Sequence, residues 1–352
     1  MILPQTSMHT LLLMIASLIC LGSWAVTLKM AGKWRFELYC VDFAIGAMAA
    51  VVLYALTFGS LGFDGFAFQD DIMHAGKRQW FFAFLAGIVF NLGNMLLIAA
   101  ISVAGMALAF PVGMGFGLVL GVGLGQMMRR EGDPLFLFIG FVLILSAMAL
   151  SALAYSSRVG ARAQAILFEA QQLKKKPVNV PGALKGMLLS IAAGLLIAGH
   201  LPLIARARPA EIGLGPYSLM FVFMLGVFGS TVIYTVFFAN LPVEGEPIDL
   251  LSYFRGRPRV HLLGLLGGVL WSAGVLGSMV LGVPEVQSNF TPGAHSWFTY
   301  GVPAVGAAWG VLAWGEFRGT SGKVRAMSYL MLLAMAAGIV LVSLAPSFSR
   351  AA

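Results

Sequence analysis

The chain has 352 residues, of which 59% are hydrophobic and only 10% are charged. Soluble globular proteins carry roughly 25% charged residues, so this composition excludes an ordinary soluble domain. The formal net charge is +8, but the basic residues lie in loops between apolar blocks. That placement argues against a nucleic-acid partner and indicates a role in membrane topology instead.

Apolar blocks long enough to cross a bilayer follow one another along the chain. A transmembrane helix needs about 20 predominantly apolar residues. The blocks predict an all-α membrane protein of ten transmembrane helices, spanning approximately 8–28, 39–58, 80–100, 102–126, 134–155, 183–205, 216–239, 260–283, 296–316 and 325–345. Residues 80–128 would be too long as one helix, so we expect a turn near 102–105.

The distribution of lysine and arginine predicts the orientation of these helices. Seven of the 22 basic residues lie on the side that holds both termini: Lys77, Arg78, Arg129, Arg130, Arg206, Arg208 and Arg350. The other fifteen lie on the opposite side, and cytoplasmic loops are enriched in lysine and arginine. We therefore expect a multi-pass protein of the cell (inner) membrane, with both termini outside.

The chain divides into two similar halves. Residues 1–156 form a first predicted five-helix repeat, polar residues 157–182 a cytoplasmic linker, and residues 183–352 a second repeat. Three short matches pair helix n with helix n+5: 15–24 with 191–200, 85–93 with 266–274, and 125–126 with 315–316. Because five is odd, the second half is expected to be inverted, as in many secondary transporters.

The fourth helix carries a run of glycines at every fourth position. Gly113, Gly117, Gly121 and Gly125 share one face, which allows a partner backbone to approach closely. We interpret this face as a helix-packing seam at a crossing of the fourth and ninth helices. Generic packing or homodimerisation explains the same run equally well.

Two amides occur on one face of the otherwise apolar third helix. Asn91 and Asn94 are three residues apart, and amides in hydrocarbon are costly unless they find partners. We expect both to face the bundle interior. They are candidates for binding a polar uncharged substrate, and interhelical hydrogen bonding accounts for them equally well.

Three further residues are candidate walls of a pocket. Trp24 and His200 occupy matching positions in the first and sixth helices, and Trp271 lies in the eighth. An aromatic face opposite an imidazole suits a sugar or a flat heterocycle. His200 is also a candidate proton carrier, although an interfacial position explains it at least as well; for Trp271 the alternative is plain packing.

Acidic residues near the second helix are the other candidates for proton coupling. Glu37 and Asp42 open this helix, and Asp42 lies about one turn inside the apolar block, where an unpaired carboxylate is expensive. An ordinary ion pair of Asp42 with Lys29 or Lys33 is the alternative. Tyr234, one turn after Ser230 in the seventh helix, is a weaker candidate for substrate binding.

The sequence contains no pattern typical of a catalytic centre. It lacks HExxH, GxSxG and GxxxxGK[ST], and its five histidines are scattered. Cys20 and Cys40 form neither a disulfide framework nor a metal-binding cluster. We therefore predict no enzyme activity, no cofactor and no metal.

Several of these residues resemble a known group of transporters. The segments 21–25, 33–37, 87–94, 268–271 and 314–316 resemble the rhamnose–proton symporter, glucose-uptake porter and ureide permease families. These families belong to the drug/metabolite transporter superfamily, whose members use a five-plus-five inverted repeat. The resemblance implies proton-coupled uptake of a sugar or ureide, with Trp24 and Asn94 in the pocket and Glu37 opening the second helix.

The sequence thus predicts a secondary active transporter of a small polar solute, working by alternating access in contact with membrane lipid. A metabolite or multidrug exporter of the same superfamily is the alternative within this class. A membrane receptor or scaffold without transport activity is the alternative from a different class.

Overall fold

The computed structural model of the chain describes residues 1–129, 132–172, 182–208, 213–288 and 300–348. All regular secondary structure in these ranges is helical. We number the ten principal helices α1 Ser7–Ala31, α2 Phe36–Leu56, α3 Lys77–Ala104, α4 Met106–Met127, α5 Pro134–Gln172, α6 Leu184–Ala207, α7 Pro216–Asn240, α8 Pro258–Leu281, α9 Val302–Ala313 and α10 Gly322–Phe348.

Within the described ranges, nine of these helices are long and apolar enough to span a membrane. The chain is therefore an integral, multi-pass membrane protein. The remaining helix, α9, is apolar but shorter, and the start predicted for it at residue 296 lies outside the described residues. Helix α5 continues to Gln172, well into the segment 157–182 that the sequence suggested as a linker, whose residues 173–181 also lie outside the description.

The turn predicted between the third and fourth helices is confirmed. Gly105 separates α3 from α4 with a φ of 95°, a conformation that residues with a Cβ rarely adopt. Polar side chains cap two other helices: Thr6 accepts a hydrogen bond from the backbone of His9, and Ser321 accepts one from Val324.

Close backbone contacts join α3 to α7 and α8 to α2. A Cβ added at Gly87 of α3 would overlap the backbone oxygen of Phe223 in α7. A Cβ added at Gly268 of α8 would overlap the backbone oxygen of Phe43 in α2. Gly87 and Gly268 occupy equivalent positions in the two similar segments of the sequence, so the same contact is made twice.

A second pair of contacts repeats the arrangement one turn away. Gly226 of α7 has no room for a Cβ against the backbone of Phe84, and Gly46 of α2 has none against the backbone of Leu265. Small residues at both sites let the helix backbones touch, which is how packing stabilises helices in lipid. The α3–α7 pair and the α8–α2 pair therefore pack through equivalent close contacts.

The glycine face of α4 packs mainly on α6. Gly113 and Gly117 lie against the backbone at Ser190 and Gly194, whereas a Cβ at Gly125 would meet nothing within 4 Å. Helices α4 and α9 do cross, but through other residues. There, Gly310 contacts Ala107 and Gly306 contacts the ring of Phe110.

We expect Gly268→Ala to destabilise the protein severely, because the added methyl group overlaps a backbone oxygen that cannot rotate away. Overpacking typically costs about 1–3 kcal/mol even where side chains can adjust. The matched control is Gly229→Ala on the exposed face of α7, where a Cβ meets nothing within 4 Å. Melting temperature and monodisperse yield in detergent should fall for Gly268→Ala alone; equal values for both variants would contradict the close contact.

Candidate functional site

A cavity of about 890 Å³ lies in the centre of the helix bundle. Its deep part is lined by aromatic and polar side chains from α1, α3, α6, α7 and α8, namely Trp24, Phe90, Asn94, His200, Phe223 and Trp271. Among the described residues, no aspartate, glutamate, lysine or arginine lines it. An apolar cavity with a few polar groups is the usual form of a small-molecule site.

Aromatic rings form a connected wall around Phe90. The ring centroid of Phe90 is 5.0 Å from that of His200, 5.4 Å from Phe223 and 5.3 Å from Trp271. Trp24 joins the same wall through Phe43, whose centroid is 5.3 Å from the Trp24 ring and 5.5 Å from Trp271. Contacts of this kind fix the orientation of the rings, so the cavity presents rigid flat surfaces.

The structure separates the two amides of α3. The Nδ2 atom of Asn91 donates hydrogen bonds to the Val227 carbonyl oxygen at 3.0 Å, to Ser230 Oγ at 2.9 Å and to Thr231 Oγ1 at 3.0 Å. These contacts tie α3 to α7. Asn94 instead lines the cavity, and no described residue forms a hydrogen bond with its side chain. Its amide is therefore available to a solute.

His200 presents one ring nitrogen to its own helix. Its Nδ1 atom contacts the carbonyl oxygen of Ile197, and because a carbonyl only accepts, Nδ1 carries the proton. Nε2 is then the acceptor of the neutral ring. Tyr234 lies outside the cavity lining, and its hydroxyl donates to the carbonyl oxygen of Ile88 at 3.4 Å.

The candidate acids of α2 also lie away from the cavity. Glu37 is fully buried and accepts two hydrogen bonds from Arg35, at 2.8 and 3.1 Å, which raise the pKa of the guanidinium. Asp42 accepts hydrogen bonds from Tyr253 at 2.6 Å and from His261 Nδ1 at 2.9 Å. Burial and this bond to Asp42 raise the pKa of Tyr253.

The alternative prediction, that Asp42 forms an ion pair with Lys29 or Lys33, is wrong. The start of α8 packs on α2 so closely that Gly264 touches the Cβ of Asp42, and this brings His261 to the carboxylate. Lys29 binds Glu316 instead, with its Nζ 2.6 Å from Oε1.

Glu316 is the centre of a polar cluster at the basic ends of the helices. Besides Lys29, its carboxylate accepts the backbone N–H groups of Met106 at 3.0 Å and Ala107 at 2.8 Å, so it caps α4. The backbone oxygen of Glu316 accepts a hydrogen bond from Arg158 at 2.7 Å. Through its carboxylate and its backbone oxygen, Glu316 therefore joins α1, α4 and α5 to the segment that follows α9.

The cavity reaches toward the opposite ends of the helices. Its lining continues to Gln126 in the last turn of α4, Pro284 after α8 and Val302 at the start of α9. These residues lie on the side that holds both termini. The Glu316 cluster thus lies at one end of the bundle, while the cavity extends toward the other.

Sequence reasoning missed Phe90, Phe223 and the role of Glu316. Phe90 is one helical turn before Asn94, and that spacing was a usable signal. Phe223 is one of 26 phenylalanines and carries no local signal. The partners of Glu316 come from segments about 160 to 290 residues away in sequence, so only the folded chain brings them together.

Comparisons with known proteins find relatives along almost the whole chain. No family model matches. Ureide permease 2 of Arabidopsis thaliana is 23% identical over 381 residues, covering 92% of this chain and 92% of the relative. Ureide permeases 1 and 4 of the same plant are each 21% identical and cover 91% and 93% of this chain, and 92% and 94% of themselves.

A solved crystal structure has the same fold over the full length. Its TM-score is 0.52, its sequence identity is 16%, and the match covers 99% of this chain and 100% of the other. At this identity the likeness concerns the fold alone. The sequence matches agree with the resemblance to ureide permeases noted from the motifs.

Proposed function

We propose that the chain is a secondary active transporter that takes up a small polar solute, a sugar, a ureide or a similar heterocycle, by alternating access coupled to protons. The central cavity carries this proposal. Its rigid aromatic wall suits the flat face of a solute, and the free amide of Asn94 suits its polar edge. The absence of charged lining among the described residues favours a neutral solute.

The repeated helix contacts support a five-plus-five inverted repeat. Gly87 of the first half contacts Phe223 of the second half, and Gly268 of the second half contacts Phe43 of the first half in the same way. In this proposal, residues 1–156 and 183–352 are the two repeats, joined by the segment 157–182. Their relative rocking exposes the cavity to each side in turn.

The relatives support transport of small molecules. Three plant proteins named as ureide permeases match more than nine tenths of the chain, and we extend that activity class to this protein. The drug/metabolite transporter superfamily and its rhamnose and glucose porters remain part of the proposal on the motif resemblance. A deep cavity within the bundle favours a transporter over a receptor or scaffold without transport activity. A measurement of the direction of transport distinguishes an uptake protein from an exporter.

The observed arrangement fits an outward-facing state. In the predicted topology the basic side is cytoplasmic, and there the Glu316 carboxylate holds Lys29 and the start of α4 together. The cavity lining extends toward the other side. Release of the solute into the cell then requires the Glu316 contacts to open.

Three side chains, those of His200, Asp42 and Glu37, are proposed as proton carriers. We rank them by their position relative to the cavity and to their charged partners. His200 lines the cavity, so its protonation can respond directly to a bound solute. Asp42 binds Tyr253 and His261 near the basic side, where it can exchange protons with the cytoplasm. Glu37 is fully buried in an ion pair with Arg35 and lies away from the cavity, so it ranks last.

Reconstitution into liposomes tests the function. We expect an imposed inward proton gradient to drive accumulation of at least one of a labelled ureide, a pyrimidine base and a hexose. If His200 is the proton carrier, His200→Gln should abolish gradient-driven accumulation and retain exchange of the labelled solute. If Asp42 is the carrier, Asp42→Asn should give this result instead. The proposal would be contradicted if none of the three solutes entered these liposomes faster than it enters liposomes without the protein.

The proposed orientation is tested separately. In a variant with Cys20 and Cys40 replaced by alanine, Ala170→Cys at the end of α5 should resist a membrane-impermeant thiol reagent in intact cells. It should react fully once the cells are opened, because residues 157–182 are predicted to be cytoplasmic. Labelling in intact cells would show that the chain is inserted the other way.

A further inference from the structure

A second cavity, of about 690 Å³, lies between α5 and α10 on the basic side of the bundle. Four cationic side chains line it: Arg158 and Arg162 from α5, and Arg318 and Lys323 from the start of α10 and the segment before it. No aspartate or glutamate among the described residues lines it. The nearest carboxylate in sequence, that of Glu316, is already bound by Lys29.

The cavity also offers hydrogen-bond donors at the beginning of α10. Ser157 and Ser321 bring hydroxyl groups to its lining, and Ser321 is the residue that caps α10; the hydroxyl of Thr320, also in the lining, donates to the carbonyl oxygen of Phe317. The first turn of a helix of this length carries a partial positive charge. Cations, hydroxyls and a helix start therefore converge on one space, a combination that suits a phosphate group.

One of the cations is held in place before any ligand arrives. The Arg158 guanidinium donates to the backbone oxygen of Glu316 at 2.7 Å and lies 5.8 Å from the ring centroids of both Tyr155 and Phe317. These contacts fix its orientation without neutralising its charge. Arg162 and Lys323 are exposed, and neither forms an ion pair with a described residue.

The cavity becomes apolar toward the membrane interior. Leu153 of α5 and Met327 of α10 line it about one turn deeper than the cationic residues. Leu153 is 54% exposed on the surface that faces lipid. The site is thus basic at the ends of the helices and apolar below, and its apolar wall is continuous with the lipid-facing surface.

We propose that this cavity binds the headgroup of an anionic phospholipid from the leaflet on the basic side of the protein. The phosphate lies among Arg158, Arg162 and Lys323, and the first carbons of an acyl chain lie along Leu153. Basic pockets between transmembrane helices suit such headgroups, and each cation near the surface adds to the attraction. The apolar wall favours a lipid over free phosphate, which would leave that wall uncovered.

The test measures the melting temperature of the purified full chain in neutral detergent. We expect phosphatidylglycerol to raise it by several degrees, and phosphatidylcholine or inorganic phosphate at the same concentration to have little effect. In the double variant Arg162→Gln with Lys323→Gln, the phosphatidylglycerol concentration needed for half the shift should rise roughly 10- to 30-fold. The control Arg257→Gln with Arg259→Gln removes two exposed cations from the same side but not from the cavity, and should respond like the wild type.

Several results would overturn the proposal. Inorganic phosphate that reproduces the whole shift would assign the site to a soluble anion, and phosphatidylcholine that reproduces it would remove the role of net charge. An equal loss of response in the control would reduce the effect to general surface charge. Should the double variant melt early without lipid, Arg162→Lys, which keeps the charge, must retain the phosphatidylglycerol response. The readout is stability, so the outcome does not depend on which solute is transported.

Discussion

Replacing Asn94 with leucine is expected to weaken solute binding by roughly 5- to 150-fold while leaving the helix bundle folded. Asn94 lines the cavity, and no described residue satisfies its amide. Leucine is similar in size, so packing should survive. A solute group buried against it loses a hydrogen-bond partner at a cost of about 1–3 kcal/mol, which appears as a higher apparent Km.

Asn91 gives the matched comparison from the same helix. Its Nδ2 atom, which carries two hydrogens, lies within hydrogen-bond distance of three acceptors in α7, so Asn91→Leu should lower the melting temperature and yield. The affinity of the surviving Asn91→Leu protein should stay near the wild-type value. Both quantities are measured on the same purified samples. An Asn94→Leu protein that loses stability but keeps its affinity would end the assignment of Asn94 to the solute.

Replacing Glu316 with alanine is expected to open the basic side of the bundle. The carboxylate binds Lys29 and two backbone N–H groups of α4, and hydrogen bonds to charged groups stabilise by about 1.5–3 kcal/mol each. Loss of one such contact already corresponds to at least about a tenfold change in the ratio of closed to open protein. We therefore expect the Glu316→Ala population to shift away from the arrangement seen in the structure.

A buried cysteine reports this shift. Met106 is fully buried beside Glu316, so Met106→Cys, without the native cysteines, should react slowly with a thiol reagent. Adding Glu316→Ala should raise its labelling rate about tenfold or more, whereas Glu169→Ala, an exposed acid on α5, should leave it unchanged. If the rate did not change, the Glu316 contacts would be a local cap of α4 and not the closure of one side.

Much of the fold could be predicted because membrane helices are specified locally. The apolar blocks predicted nearly all the helices, and the need to end a helix within the bilayer thickness predicted the turn at Gly105. The linker was expected to hold at most a separate short amphipathic helix from Ala161 to Leu173, and the unbroken continuation of α5 to Gln172 was not predicted. Polar residues can continue a helix beyond the membrane without an apolar signal.

The candidate site was only partly predictable. The pattern of α3 placed Asn91 and Asn94 on one face, but it could not tell which amide would meet α7 and which the cavity. That distinction depends on Val227 and Ser230, more than 130 residues later. Asp42 shows the same limit, since nearby lysines in sequence were the obvious partners and a distant histidine is the actual one. Long-range partners are set by helix packing, which a local pattern does not contain.

Under the proposed alternating-access cycle, the Glu316 cluster has a consequence for the protein without bound solute. The sequence match that pairs 125–126 with 315–316 makes Gln126 the counterpart of Glu316. Gln126 lies at the mouth of the cavity near the start of α9. In the proposed cycle, the closure of that side would then be made by an uncharged amide with no ion pair.

If the proposed cycle holds, the two closures are unequal in free energy, and we expect the unloaded protein to rest with its cavity facing outward. A solute arriving from outside meets a site that is already formed, so its apparent affinity is close to the intrinsic one. A solute arriving from the cytoplasm binds only the small fraction of molecules that have reoriented, and its apparent affinity is weaker by that fraction. A carrier of this proposed kind would capture scarce solute outside and rebind released solute poorly, while the coupled proton gradient would set how far accumulation can go.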